Sequence, residues 1–213
     1  KGIKFDGVVT FYDFNVLQTS YLANILNLAG TSIKSAQCSS VNKYIMRITA
    51  EKNQLPIPLF GFFSDSKTGY RLLNKLKPPV VIKPVTSGSS IGCTKIEIIG
   101  SLNTFSSIYK KVKLQLDFHG TYEAFSYLTD RNSYLMEKYI AGNVISVEAA
   151  IQNQKIYILS LSSYDMSKEP QFTQECVYMP GIVPNKTKKQ SIALTKKIIK
   201  KFGFNNTIVH CEL

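Results

Sequence analysis

The stretch VVIKPVTSGSSIG, residues 80–92, decides the fold. Val80, Val81 and Ile82 form a short β-branched run that predicts a buried strand. The strand delivers one cation, Lys83, to a loop of small residues, Ser87, Gly88, Ser89 and Ser90, closed by Gly92. Small residues leave the backbone free to curl until several N–H groups face one anion, and the serine hydroxyls add donors. A strand-end lysine beside such a loop is a grip for a polyphosphate. The lysine precedes the glycines and there is no GxxxxGK[ST] run, so this is not a P-loop. The same residues also describe a tight hairpin with Lys83 solvated at its edge.

Three further groups of residues bear on the same chemistry. Lys43 and Arg47 lie four apart in a predicted helix and project from one face. Glu137-Lys138-Tyr139-Ile140 closes a predicted strand ahead of Gly142. Extended backbone there offers alternating N–H and C=O groups to a flat heterocycle, and the Glu137 carboxylate can accept from an exocyclic amine. An ordinary edge strand with a surface ion pair fits those residues equally. His210 and Glu212 alternate on a late predicted strand, so both side chains face one side of a sheet. They can bind a metal, orient a substrate, or simply satisfy each other at the surface. One carboxylate does not make a magnesium site, because magnesium takes octahedral oxygen coordination.

The remaining pattern predicts strands at 5–11, 93–99, 134–140, 144–152 and 155–163, the last two joined as a hairpin at Asn153-Gln154, and a closing strand TIVHCEL. Helices are predicted over 14–28 with Gly30 as the stop, from a cap at Ser39 or Ser40 to Lys52, over 103–112, and over 188–202 ended by Gly203. LPIPLFGF, 55–62, reads as an extended lead into a strand, and 116–132 and 164–186 read as loops. Strands and helices do not alternate strictly, which predicts an α+β fold.

With 213 residues, 44% hydrophobic and 19% charged, the chain is of globular composition and long enough to bury a core. A net charge of +12 is compatible with nucleic acid or anionic lipid. The lysine-rich helix, 186–201, has no aromatics interleaved as stacking platforms, which favours a solvated face over a nucleic-acid stripe. The four cysteines, Cys38, Cys93, Cys176 and Cys211, form no CxxC pair and read as reduced thiols. No signal peptide or spanning stretch is evident, so the expectation is a cytoplasmic protein with neither nucleic acid nor membrane as partner.

KPVTSGSSIG, then EKYIAG, then His-x-Glu on a late strand resembles, in that order, the ATP-grasp superfamily of carboxylate–amine ligases, over about residues 5–213. The first motif is similar to the loop of D-alanine–D-alanine ligase. Residues 28–58 resemble the matching stretch of ATP-grasp ligases and biotin carboxylases, and the late His-x-Glu is more like the L-amino-acid ligase branch.

The resemblance implies an ATP-grasp fold, two α+β subdomains gripping ATP. Residues 1–38 would be the remnant of a substrate-side domain, 39–136 a lid subdomain with its leading helix, and 137–213 a C-terminal subdomain. The chain is expected to be truncated at both ends. It implies that Lys43 and Lys83 contact ATP phosphates and that Ser87, Gly88, Ser89 and Ser90 form a loop over them. Glu137, Lys138, Tyr139 and Ile140 would hold adenine, and Glu212 would be the first of two acidic Mg²⁺ ligands, the second lying outside this chain. The implied reaction activates a small-molecule carboxylate as an acyl phosphate for attack by an amine, with a homodimer as a candidate assembly and little turnover by this chain alone. One departure points to the alternative of a non-catalytic ATP-binding scaffold: Val144 stands where the family carries a ribose-binding glutamate.

Overall fold

The computed structural model of the chain describes residues 3–39, 42–88, 90–118, 132–167 and 174–213. Two antiparallel sheets organise it. The first has strand order β1-β4-β2-β3, with β1 Phe60–Phe63, β2 Val80–Pro84, β3 Thr94–Ile96 and β4 Tyr134–Lys138. The second has the order β7-β6-β5-β8, with β5 Ile145–Gln152, β6 Lys155–Met166, β7 Gln174–Tyr178 and β8 Thr207–Glu212. Helices α1 Val16–Ile25, α2 Ile33–Gln37 and α3 Lys43–Lys52 precede the first sheet. Helices α4 Ser66–Leu76 and α5 Leu102–Phe118 belong to it, and α6 Asn185–Phe202 belongs to the second. Helices and strands are segregated as the α+β expectation requires.

The first sheet is two-faced because its strands alternate. Val80, Ile82, Tyr134 and Met136 point to one side and join Phe63, Leu73, Phe105 and Tyr109 in a core beneath α4 and α5. Phe63 and Tyr134 stack with centroids 5.6 Å apart, and Tyr109 meets Tyr134 edge-on at 5.0 Å. Lys83 and Glu137 point to the other side. Helix α4, not foreseen from the sequence, starts at an Asp65 cap whose carboxylate accepts from the Lys67 and Thr68 N–H groups. Leu73 and Gly69 are its buried contacts.

On the second sheet, Ala149, Ile151, Ile156, Ile158 and Val209 pack against Ile199 of α6, and the opposite face is polar near His210. The predicted hairpin at Asn153-Gln154 forms with both residues at positive φ, 48° and 65°, and its N–H groups donate to the side chains of Asn206 and Asn205. Gly203 ends α6 at φ 74°.

Several expectations are corrected. Residues 5–11 do not form a strand; Gly7 makes one isolated parallel bridge to Ala29, and Phe5, Val9 and Phe11 are exposed. Helix α3 is capped by Asn42, whose side chain accepts from the Ile45 N–H, rather than by Ser39, while Ser40 lies outside the described residues. Helix α5 runs on to Phe118, past the predicted end at 112, and its Phe105, Tyr109 and Val112 form the stripe that faces the core. The loop expected at 164–186 instead contains the end of β6 and all of β7, paired through Tyr164↔Val177 and Asp165↔Cys176. Strand β4 runs unbroken across 136 and 137, pairing with β1 as far as Glu137 and with β2 as far as Lys138. Helix α3 buries Met46 and Ala50 against Phe202, Leu194 and Ile198, so it leans on the second sheet's helix. The four cysteines are free thiols. Among the described residues no helix is long and apolar enough to cross a membrane.

Candidate active site

Strands β2 and β4 carry the first half of the site. Their register places Val81 opposite Glu137 and Lys83 opposite Leu135, so Lys83 and Glu137 are diagonal neighbours on one face. Lys83 Nζ pairs with Glu137 Oε2, while Arg47 of α3 donates through Nε to Glu137 Oε1. Neither reading of Lys83 as solvated nor of β4 as an edge strand holds. The Lys83 side chain is 16% exposed, and β4 lies between β1 and β2. Burial pushes the Glu137 carboxyl up, but Lys83 and Arg47 outweigh it and hold the group below the ordinary glutamate value.

Lys43 opens α3 and points inward. Its backbone N–H donates to the Val85 carbonyl at 3.0 Å, and its Nζ to the Ser87 carbonyl. Burial and the Lys83 charge push the Lys43 ammonium down to about 8. Lys43 and Arg47 do share a helical face, as their spacing predicts, and both address the first sheet. A buried lysine beside a second lysine is an arrangement that phosphate charge relieves.

The loop between β2 and β3 is indeed a hairpin connection, with Val80 opposite Ile96. Ser90 and Gly92 take positive φ, 57° and 74°. The Ile91 and Cys93 N–H groups are engaged in its own turns, to the Gly88 and Ser90 carbonyls, so they are not aimed at a shared anion. Ser87 is buried, and a Cβ at Gly88 would meet the Phe14 ring at 2.9 Å, so only glycine lets that ring approach. Ser89 lies outside the described residues. The Cys93 thiol is half-buried near Lys43 and Lys83, and desolvation pushes it above the ordinary thiol value.

Of the residues expected around a heterocycle, Glu137 lies on the same face of the first sheet as Lys83. The Lys138 N–H donates to the Leu59 carbonyl and its Nζ to the Lys77 and Pro78 carbonyls. The Tyr139 N–H donates to the Pro79 carbonyl, and Lys95 Nζ sits 4.1 Å above its ring. Ile140, 66% exposed, is where the chain leaves the sheet.

The second half lies on β5 and β8. Register sets Glu148 opposite His210 and Ser146 opposite Glu212. His210 Nδ1 is 3.1 Å from Glu148 Oε1, and Nε2 is 3.6 Å from Glu212 Oε1. The His210 hydrogen bond, against burial, holds the Glu212 carboxyl below its ordinary value, and the His210, Gln174 and Lys83 interactions add to it. The hydrogen bond to Glu212, against desolvation, raises His210 above its ordinary value. Among the described residues no three His, Cys, Asp or Glu side chains form a metal-binding group. Glu212, 56% exposed, fits a hard cation as one oxygen ligand. Sequence reasoning missed Glu148. The signal was the alternation Ser146-x-Glu148 on β5, which matches His210-x-Glu212 once the two strands are known to pair.

The family follows from this arrangement and from sequence together. The chain belongs to the ATP-grasp domain family, whose pattern matches residues 76–213. No protein of curated function matches its sequence. Among solved structures, it is similar to an L-amino acid ligase from Bacillus licheniformis, with TM-score 0.72 and 20% identity over 98% of this chain and 45% of that one. It is similar to a biotin carboxylase from Campylobacter jejuni, with TM-score 0.72 and 17% identity over 93% and 42%. A third is the VanG D-Ala:D-Ser ligase from Enterococcus faecalis, with TM-score 0.65 and 17% identity over 91% and 55%. At these identities the likeness shows the fold. The chain spans about half the length of these structures.

Proposed function

We propose that this chain is the ATP-gripping part of an ATP- and magnesium-dependent ligase that joins a small-molecule carboxylate to an amine. The observation that carries the reading is that Lys43 from α3 and Lys83 from β2 meet on one face of the first sheet, Lys43 Nζ on the Ser87 carbonyl and Lys83 Nζ on Glu137 beside the serine-rich loop. In this reading Lys43 and Lys83 hold phosphates under a loop formed by Ser87, Gly88, Ser89 and Ser90. Glu137, with the backbone of Lys138 and Ile140, holds adenine. Lys83 turns from Glu137 to phosphate as nucleotide enters. Glu212 is one ligand to magnesium, which when bound neutralises charge on the phosphates.

A substrate carboxylate oxygen attacks the γ-phosphorus and the bond to ADP breaks. The amine then attacks the acyl carbon, a C–N bond forms and phosphate leaves. Lys43 and Lys83 contribute positioning and charge stabilisation throughout, the main demands of phosphoryl transfer. The units 1–38, 39–136 and 137–213 are proposed as substrate-side, lid and C-terminal parts, and a cytoplasmic homodimer as the setting. Calorimetric titration with ATP and magnesium tests the reading. Absence of ATP binding by this chain and by any longer product of its gene overturns it.

A second reading, a nucleotide-binding scaffold without turnover, is favoured by Val144 at the position of the family's ribose-binding glutamate. ATP-dependent phosphate release with amino acids excludes the scaffold.

A further inference from the structure

The Glu148 carboxylate is the hub of a hydrogen-bonded group on the open face of the second sheet. Ser146 Oγ lies 2.6 Å from Oε1, Ser162 Oγ 3.4 Å from Oε2, and His210 Nδ1 3.1 Å from Oε1. Ser146 Oγ also lies 2.7 Å from the Tyr164 hydroxyl. An ionised carboxylate only accepts, so the directions follow. Ser146 and Ser162 donate to Glu148, Tyr164 donates to Ser146, and His210 donates to Glu148 through Nδ1–H, the nearer of its two carboxylate contacts at 3.1 Å against 3.6 Å to Glu212. Ser146 and Ser162 are 0% and 1% exposed, and the Glu148 side chain 19%, so the carboxylate is held by buried hydroxyls in a rigid strand pair. His210 is 51% exposed and would rotate freely without that anchor.

We infer that Glu148 is a positioning residue: through Nδ1–H it fixes the plane of the His210 ring and presents Nε2 towards Glu212 and the cleft. The arrangement follows from register, since Glu148 faces His210 directly and Ser146 faces Glu212. A carboxylate on one ring nitrogen sets which nitrogen is left to face a ligand or a metal-bound carboxylate. The functional half of the inference rests on the reading of Glu212 as a magnesium ligand, and its test separates the two.

The chain has two histidines, so a ¹⁵N-histidine spectrum is assigned with one substitution, His210→Asn. On the deprotonated side of its titration, wild-type His210 should show the Nδ1–H tautomer. Glu148→Gln, isosteric but with an amide that also donates, and Glu148→Ala should both shift it towards Nε2–H, while Ser162→Ala keeps the wild-type tautomer. Glu148→Ala and His210→Ala should each weaken magnesium–ATP affinity about tenfold, and the double variant no more than either alone. A wild-type tautomer in folded Glu148→Gln and Glu148→Ala overturns the positioning role. A shifted tautomer with unchanged magnesium–ATP affinity overturns its connection to the site. If wild type binds no ATP, the proposed function fails, and the spectrum still decides whether Glu148 orients His210.

Discussion

Lys83 on β2 and Glu137 on β4 sit diagonally across two antiparallel strands and form an ion pair on the cleft face of the first sheet. Arg47 holds the second oxygen of the same carboxylate. Lys83 is therefore held in place by Glu137, the group that nucleotide would partly displace under the proposed function. Lys83→Ala should weaken ATP binding by roughly ten- to a hundredfold, the scale of a lost charge-assisted hydrogen bond. Lys188→Ala, at an exposed position on α6, should leave binding within about twofold, since exposed charges contribute little. Calorimetric titration of both variants checks the contrast.

With the Lys43 ammonium at about 8, nucleotide binding under the proposed function should depend on pH. Phosphates favour the charged lysine, so binding takes up a proton when the free chain is above that value. Affinity should hold below pH 8 and then fall, by up to about tenfold per pH unit, until the pKa of the bound state is passed. Stability of the unliganded chain moves the other way. A lysine with a lowered folded pKa costs stability below that value, and the cost is relieved as pH rises through it. Titrations in buffers of different ionisation enthalpy report the proton uptake; pH-independent affinity from 7 to about 9.5 contradicts it.

Removing Arg47 leaves the buried Glu137 with Lys83 as its remaining cation. Arg47→Leu should cost about 1–3 kcal/mol of unfolding free energy, below the full loss of a buried pair because one partner stays. Glu137 has a lowered folded pKa, so its contribution is present above the unfolded glutamate value and lost as pH falls through the folded one. In Arg47→Leu the folded value rises, so the contribution shrinks and is lost at higher pH than in wild type. Denaturant melts at neutral and acidic pH measure both effects, and an unchanged acid profile contradicts the pairing.

Gly69 lies within α4, where alanine would ordinarily add about 1 kcal/mol of helix propensity. A Cβ there would meet Phe63 at 2.6 Å and Phe105 at 2.7 Å, and both rings are almost fully buried. Overpacking a fixed core costs about 1–3 kcal/mol, so the clash wins. Gly69→Ala should lower the melting temperature, and a thermal melt showing stabilisation would mean that the rings can yield.

Much of the fold was legible in local pattern. The run at 80–82 became β2, the stripe ending at Phe202 became the buried side of α6, and Asn153-Gln154 became the turn of the β5–β6 hairpin. Residues 5–11 had the composition of a strand, but a strand needs a neighbour, and Gly7 finds one bridge. Helix α4 was missed because its stripe is short and contains Gly69, whose small size matters only against Phe63 and Phe105.

The sequence by itself determined which residues carry charge, the local runs that became β2, the β5–β6 hairpin and α6, and the order Lys43, Lys83, Glu137, Glu212. These follow from short-range rules of backbone propensity and side-chain period. Tertiary structure alone decided who meets whom. Arg47 and Glu137 are 90 residues apart, and Glu148 and His210 are 62 apart. Strand order and register bring them together, and no local pattern encodes a register. Tertiary structure also decided that β4 lies centrally, that two N–H groups of the serine-rich loop close its own turns, and that the Lys138 side chain reaches the Lys77 and Pro78 carbonyls. Residues 80–92 meet Lys43 at the Ser87 carbonyl, and Arg47 meets Glu137 beside Lys83, only because α3 packs against the first sheet.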